Sequence, residues 1–394
     1  MAFSKHKDEN IGFFVIDYSA GGGVERVTAN LMCRFREEGF QNLNLISLKS
    51  GSGTPSMNYP KNASLKIFDK ENTGKKFFAD ELAEYLRKKN IQHLIFQGDN
   101  MTIALEVLKA ATTAGCHAYP QYHGSPYAYL RKYSEADEPN IEKIIFSKIV
   151  YPFKKKKLKK FIENSAQGIF CVSKGSADEL KQIFKDDTSI AEKLKVIRNP
   201  ILLKEQNEVG KEKVITFVSR LENKHKNAFL AVKAWSLIAN KYPDWKLVIL
   251  GDGSLKGKIE EFCKKQNLRN IELPGFVSNV DEILAKSSIS LNVSNCEGFP
   301  MGVAEAIVQK NVLVVTDSDG GAKDMVIHGK TGLISPKNDA EKLALNLEKT
   351  INDENLRREL SENAFNHLKK IAKEDSFEMW TKELFMDESV LQGN

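Results

Sequence analysis

At 394 residues the chain is too long for one ordinary hydrophobic core and suits two domains. Hydrophobic residues make up 41% and charged residues 28%, the balance of a soluble globular protein, and no apolar run approaches the ~18–20 residues of a membrane-spanning helix. A net charge of +6 suits anionic partners: nucleotides, phospholipid headgroups or nucleic acid.

The cysteines Cys33, Cys116, Cys171, Cys263 and Cys296 are scattered and form no CxxC pair, and the histidines form no HExxH cluster. A disulfide framework and a structural zinc site are therefore not expected. The first residues place a polar stretch before an apolar run and lack a small-residue cleavage site, so that run reads as a first strand and the cytoplasm as the expected location.

In chain order, residues 11–17 (IGFFVID) form a strand that ends at the turn Tyr18-Ser19-Ala20-Gly21-Gly22-Gly23. Apolar residues then recur at helical spacing (Val27, Leu31, Phe35) up to Gly39. Further strands are expected near residue 45, at 93–97, around Tyr119 and at 168–173, with helices between. Strands alternating with helices imply a parallel sheet covered on both faces. After the polar segment 204–211 the rhythm restarts. Strands are expected at 214–219, 246–251, near Ile271, at 288–293, at 312–316 and near Leu333. Helices are expected at 227–241, 255–267, 279–286 and 303–310, and the chain from about Asn338 onward is charged and helical. The organisation is thus α/β, with two consecutive Rossmann-like halves.

The sharpest feature is Asn295-Cys296-Glu297-Gly298-Phe299-Pro300-Met301-Gly302-Val303-Ala304-Glu305, which follows an apolar strand and opens a helix. Amides at a helix N-terminus favour negative charge, and Gly298 and Gly302 allow close approach of a ligand. A carboxylate can accept hydrogen bonds from two neighbouring hydroxyls, so this segment suits a sugar ring, a ribose and an adjoining phosphate. The plainer reading makes Glu297 a helix cap and Glu305 a solvated side chain.

The spacing of Glu297 and Glu305 resembles the E-x7-E signature of family 4 (GT4) retaining glycosyltransferases. Other landmarks stand in that family's order: Gly21-Gly22-Gly23-Val24-Glu25-Arg26, Ser219-Arg220-Leu221 with Lys226-Asn227, Gly251-Asp252-Gly253, Pro274-Gly275-Phe276-Val277, Gly320-Gly321-Ala322-Lys323-Asp324 and Gly329-Lys330-Thr331-Gly332-Leu333. Ser219 stands where the family has glycine. One extra residue separates Arg220 from Lys226, so Lys224 is a second candidate for the same role.

The resemblance implies a GT-B fold: two Rossmann-like domains facing across a cleft, 1–203 on the acceptor side and 204–373 binding the nucleotide sugar. A C-terminal helix, 374–394, would cross back to the first domain. It implies that Glu305 binds the ribose and Glu297 the transferred sugar. Backbone amides from Phe299 through Pro300, Met301 and Gly302 to Val303 would surround sugar and diphosphate, with Gly298 beside them in the binding set. Arg220 and Lys226 would neutralise the diphosphate, with Ser219 beside them in the binding set, and Gly22 and Gly23 would approach it from the other domain. Phe276 and Val277 would border the base, and His123 would face the sugar. The implied activity is transfer of a hexose or N-acetylhexosamine, with retention, from a nucleotide-diphosphate sugar (UDP first) to a glycan or lipid-linked acceptor in bacterial surface polysaccharide or lipopolysaccharide synthesis. Cations supplied by the protein would make a metal unnecessary, and no cofactor is expected. Two rivals are a sugar-nucleotide epimerase of the same shape and a catalytically silent membrane adaptor.

Asp317-Ser318-Asp319 follows an apolar strand, as a metal-binding DxD would. Its position after the glutamate pair and before two glycines reads better as turn chemistry near the sugar pocket. Lys154-Lys155-Lys156-Lys157-Leu158-Lys159-Lys160 lies among Ile144, Ile145, Phe146, Ile149, Tyr151, Phe153, Phe161 and Ile162, with Pro152 expected to interrupt any helix. Basic residues beside aromatics favour an anionic membrane surface, so peripheral docking on the inner leaflet through 153–162 is the expectation. No nucleic-acid-binding module is recognisable.

Overall fold

The computed structural model describes residues 3–49, 57–68, 77–130, 149–203, 210–222 and 225–385. Residues 204–209 of the linker expected near 200–212, Lys224 and the apolar residues Ile144, Ile145 and Phe146 lie outside the described residues. Two compact units divide the chain. The first comprises 1–124, 139–200 and 374–394, and the second 125–138 and 201–373.

The first unit carries a seven-stranded parallel sheet: β1 (Ile11–Asp17), β2 (Leu43–Lys49), β3 (Ser64–Ile67), β4 (His93–Gln97), β5 (His117–Tyr122), β6 (Ile169–Cys171) and β7 (Leu194–Val196), in the order β3-β2-β1-β4-β5-β6-β7. β1 and β4 are buried through most of their length because helices cover both sheet faces, which is why they read as unbroken apolar runs. The helix Gly23–Glu37 turns Val27, Leu31, Met32 and Phe35 onto this sheet. The helix Ser376–Phe385 joins the same core: Trp380 is fully buried, with its ring centroid 4.9 Å from that of Phe170.

The second unit carries a six-stranded sheet of β8 (Glu212–Val218), β9 (Lys246–Leu250), β10 (Ile271–Gly275), β11 (Ser287–Asn292), β13 (Val312–Thr316) and β15 (Leu333–Ser335). Its order is β10-β9-β8-β11-β13-β15, the same arrangement of strands as in the first unit. β12 (Cys296–Glu297) and β14 (Asp319–Gly320) pair with each other in a separate small ribbon. Trp235, Ile215, Phe217, Leu247 and Leu291 centre the core.

The long apolar strands and the main helices fall where periodicity placed them. β3 and β7 have no counterpart in that reading, being short and only partly buried, with little apolar signal. The helix expected at 303–310 runs from Met301 to Val308, starting directly after Pro300. Pro152 does not interrupt a helix: it sits in the first turn of Tyr151–Glu163, where its missing N–H has no partner to lose.

That helix sorts the lysine run. Lys155 lies over the Phe184 ring at 5.4 Å, Lys157 donates to Thr102, and Lys159 pairs with Asp187 at 2.7 Å. Ile149 (66% exposed), Phe153 (67%), Lys156 and Lys160 form the outward face at helical spacing.

Candidate functional site

β8 and β11 are neighbours, with Phe217 opposite Leu291, and the strand order runs in opposite directions from them. In open parallel sheets, ligands bind beyond the carboxyl ends of the strands at such a reversal. The residues singled out in the second unit leave from the ends of these two strands.

β8 runs into Ser219-Arg220-Leu221. The Ser219 N–H donates to the Leu250 carbonyl (3.0 Å) and the Leu221 N–H to that of Asp252 (2.9 Å), which fixes the turn. Gly251 is at φ +141°, and a Cβ there would lie 1.9 Å from the Ser219 carbonyl oxygen, so only glycine fits. The Arg220 side chain is 75% exposed, and its ion-pair partner is Glu222 at 3.9 Å, not Glu297. An exposed pair at that distance contributes little, so the guanidinium is not committed.

β11 runs through Val293, Ser294 and Asn295 into β12. The Asn295 N–H donates to the His225 carbonyl at 2.8 Å, and His225 Nδ1 contacts Cys296 Sγ at 3.2 Å. These contacts hold the turn before Asn227 against β12 and bring Lys226 Nζ to 2.6 Å from Glu297 Oε1. Ser294 Oγ donates to the same oxygen at 2.5 Å. Glu297 is 9% exposed, and the lysine charge offsets what burial of a lone carboxylate would cost. Burial, then the Glu297 charge, pushes the Cys296 thiol up to about 12, so it stays protonated and unreactive. Asn227 takes φ +42° at the start of the next helix and donates from Nδ2 to Asn338 Oδ1 at 2.9 Å.

Glu297 lies in β12 and does not cap the following helix: the cap position is Pro300, with no side-chain cap. Gly298, Phe299 and Pro300 are buried, Met301 and Gly302 half-buried, and the Val303 side chain is in the core, with its N–H donating to the Pro300 carbonyl at 3.0 Å. Glu305 lies one turn into the helix and is half-buried. Val277 packs against Val214, Val248 and Leu250, whereas Phe276 is 79% exposed.

Gly320 stands opposite Glu297 in the ribbon at φ +88°, and a Cβ there would lie 1.8 Å from the Glu297 carbonyl oxygen. Asp317 pairs with Lys323 at 2.7 Å and Asp319 with Lys337 at 2.8 Å, so each carboxylate of the DxD is matched by a lysine. Among the described residues no group of His, Cys, Asp or Glu is arranged to hold a metal ion.

In the first unit, β1 and β4 occupy the equivalent reversal. Gly22 caps the Gly23–Glu37 helix in extended conformation, and a Cβ on it would lie 2.5 Å from the Glu25 carboxylate. The Glu25 carboxylate therefore sits at the start of its own helix, where the amides favour negative charge. His123 follows β5 and its Nε2 contacts Gln97 Oε1 at the end of β4. Burial pushes its imidazole down to about 3, which keeps it neutral at physiological pH.

The structure therefore joins Lys226 to Glu297 and leaves Arg220 and Phe276 exposed. Ser294, His225 and Gln97 were missed from the sequence. For Ser294 and Gln97 the only signal was a polar residue at or just beyond a strand's carboxyl end, and for His225 its place next to Lys226.

Residues 199–367 match the family model described as Glycosyl transferases group 1. Over 303 residues the chain is 25% identical to the poly(glycerol-phosphate) alpha-glucosyltransferase of Bacillus subtilis, covering 75% of this chain and 42% of that protein. Over 195 residues it is 29% identical to a Campylobacter jejuni alpha-1,4-N-acetyl-D-galactosaminyltransferase named for an undecaprenol-linked acceptor, covering 48% of this chain and 54% of that one. The chain thus spans about half the length of these curated relatives. The crystal structure of Anabaena HepE in complex with UDP and glucose superimposes with a TM-score of 0.73 at 14% identity, covering 95% of this chain and 98% of that one. The fold is GT-B, built of two Rossmann-like units.

Proposed function

We propose that this chain is a glycosyltransferase that moves a hexose or N-acetylhexosamine, with retention, from a nucleotide-diphosphate sugar to a glycan or lipid-linked acceptor in surface polysaccharide synthesis. The observation that carries the reading is the Lys226–Glu297 pair beyond β11, at the strand reversal and directly before the amide-rich start of the Met301–Val308 helix. The HepE complex, which holds UDP and glucose, supports a UDP-sugar donor.

In this reading Glu297 accepts hydroxyls of the sugar, and Glu305 those of the ribose. Lys226, Arg220 and the backbone N–H groups of Phe299, Met301 and Gly302 receive the diphosphate as its bond to the sugar breaks. Negative charge grows on the leaving diphosphate, so fixed cations and amides stabilise the transition state more than the ground state. The lysine-paired Asp317 and Asp319 favour a reaction without a metal held by these carboxylates. In the first unit, Gly22, Gly23 and a neutral His123 are the remaining candidate residues. On this reading the protein works at the cytoplasmic membrane face, where Ile149, Phe153, Lys156 and Lys160 are the docking residues. No helix among the described residues is long and apolar enough to cross a membrane.

The test is nucleotide release by the intact chain across a panel of UDP- and GDP-sugars, with and without EDTA, followed by acceptor screening and anomeric analysis of the product. Release with one donor, insensitive to EDTA and lost in Glu297→Ala, is expected. Equal release by parent and Glu297→Ala on every donor would overturn the reading.

A further inference from the structure

We infer that Ser294 is a positioning residue: it pins one oxygen of Glu297 so that the other, Oε2, is the oxygen presented to the sugar. The inference rests on the reading of Glu297 as the acceptor of sugar hydroxyls.

The geometry starts at the end of β11. Ser294 is 1% exposed, and its carbonyl accepts a hydrogen bond from Thr316 Oγ1 at 2.9 Å, which ties the segment to the end of β13. Thr316 is itself 2% exposed, so the support is part of the core. From this fixed backbone the single hydroxyl proton of Ser294 goes to Glu297 Oε1, the oxygen that also receives Lys226 Nζ. Two charge-assisted donors occupy the acceptor sites of one carboxylate oxygen. Among the described residues no hydrogen bond reaches Oε2.

A carboxylate on a glutamate turns easily, because its terminal torsion has a broad, two-fold profile. Lys226 alone does not stop that rotation, since its own ammonium sits on a flexible stem and is the group that a diphosphate would attract. Ser294 differs: its backbone is held by Thr316, it is buried, and a phosphate has no access to it. When Lys226 turns to the leaving group, Ser294 keeps Oε1 in place. The oxygen facing the sugar is then set before the donor arrives, which is what preorganisation of a hydrogen-bond acceptor requires.

Crystal structures of the intact parent and of Ser294→Ala, both without ligand, give a readout independent of turnover. The parent is expected to show one Glu297 side-chain conformer and the variant two or more. An unchanged single conformer in the variant would overturn the inference. Kinetics supply the second readout, with the best donor among UDP-glucose, UDP-galactose, UDP-N-acetylglucosamine and UDP-N-acetylgalactosamine. Ser294→Ala should lower kcat by roughly 10- to 100-fold, the range for a hydrogen bond to a charged group, with KM and UDP affinity within about twofold of the parent. Ser294→Cys, near in volume but a weak donor, should resemble Ala; recovery by Cys would mean that Ser294 only fills space. In a Glu297→Ala background Ser294→Ala should cost nothing more, and a full additional loss there would also count against it. If Glu297→Ala itself leaves turnover intact, the reading of the site fails, while the conformer comparison still judges Ser294.

Discussion

Lys226 Nζ lies 2.6 Å from Glu297 Oε1, joining two residues 71 positions apart in the chain. Each supplies what the other lacks. The carboxylate is nearly buried and needs a cation, and the lysine, on a turn, needs an anchor that aims it.

Removal of either partner should therefore be felt twice. Lys226→Met and Glu297→Leu are each expected to lower transfer by about 10²–10³-fold, the range for loss of a donor that stabilises transition-state charge. Lys226→Met should also destabilise by on the order of 2–3 kcal/mol, because it strands a mostly buried carboxylate. The double variant should recover most of that stability and none of the activity. Denaturant unfolding beside an activity assay separates the two effects.

Gly320 is expected to tolerate no side chain. Alanine there would place Cβ 1.8 Å from the Glu297 carbonyl oxygen, at a φ of +88° that favours glycine. A loss of about 3 kcal/mol or more is expected, together with loss of activity, since the ribbon carrying Glu297 must shift. Thermal unfolding checks the first part. A variant as stable as the parent would refute the close approach.

His123 predicts a pH dependence with a definite sign. Its imidazole, pushed down to about 3 by burial, binds its proton more readily in the unfolded chain, where the ordinary value is about 6.5. The unfolded state therefore takes up protons first as pH falls. The stability that neutral His123 contributes is complete above about pH 6.5 and is lost progressively down to about pH 3. Between pH 6.5 and pH 5 that is up to about 2 kcal/mol. His123→Asn should flatten this part of the pH profile of denaturant stability, whereas an unchanged slope would mean that the ring is solvated.

The Tyr151–Glu163 helix predicts which lysines matter for membrane docking. Lys156→Glu with Lys160→Glu should weaken co-sedimentation with phosphatidylglycerol vesicles by about tenfold or more. Lys155→Glu with Lys157→Glu should do less, because those lysines face Phe184 and Thr102. Equal loss in both pairs would mean that total charge alone governs binding.

Much of the fold was legible in the sequence because strands buried on both faces leave unbroken apolar runs, as in 11–17 and 312–316. Short, half-buried strands such as Leu194–Val196 leave no such mark. At the site, glutamates and glycines announced themselves by type and spacing. The turn that aims Lys226 did not, since the bond from Asn295 to the His225 carbonyl joins residues far apart in the chain. The lysine run showed its charge but not its direction. Local composition counts ammonium groups, and only the packing of Lys155, Lys157 and Lys159 against Phe184, Thr102 and Asp187 shows which ones turn inward.

The sequence by itself determined the alternation of strands and helices and the chemistry available at the strand ends, because periodicity and residue type are local properties. Tertiary structure alone decided which carboxylate oxygen Lys226 and Ser294 hold, which lysines face outward and why Gly251 and Gly320 admit no side chain. Those outcomes depend on atoms brought within a few ångströms across adjoining strands, and a linear order of residues carries no distances.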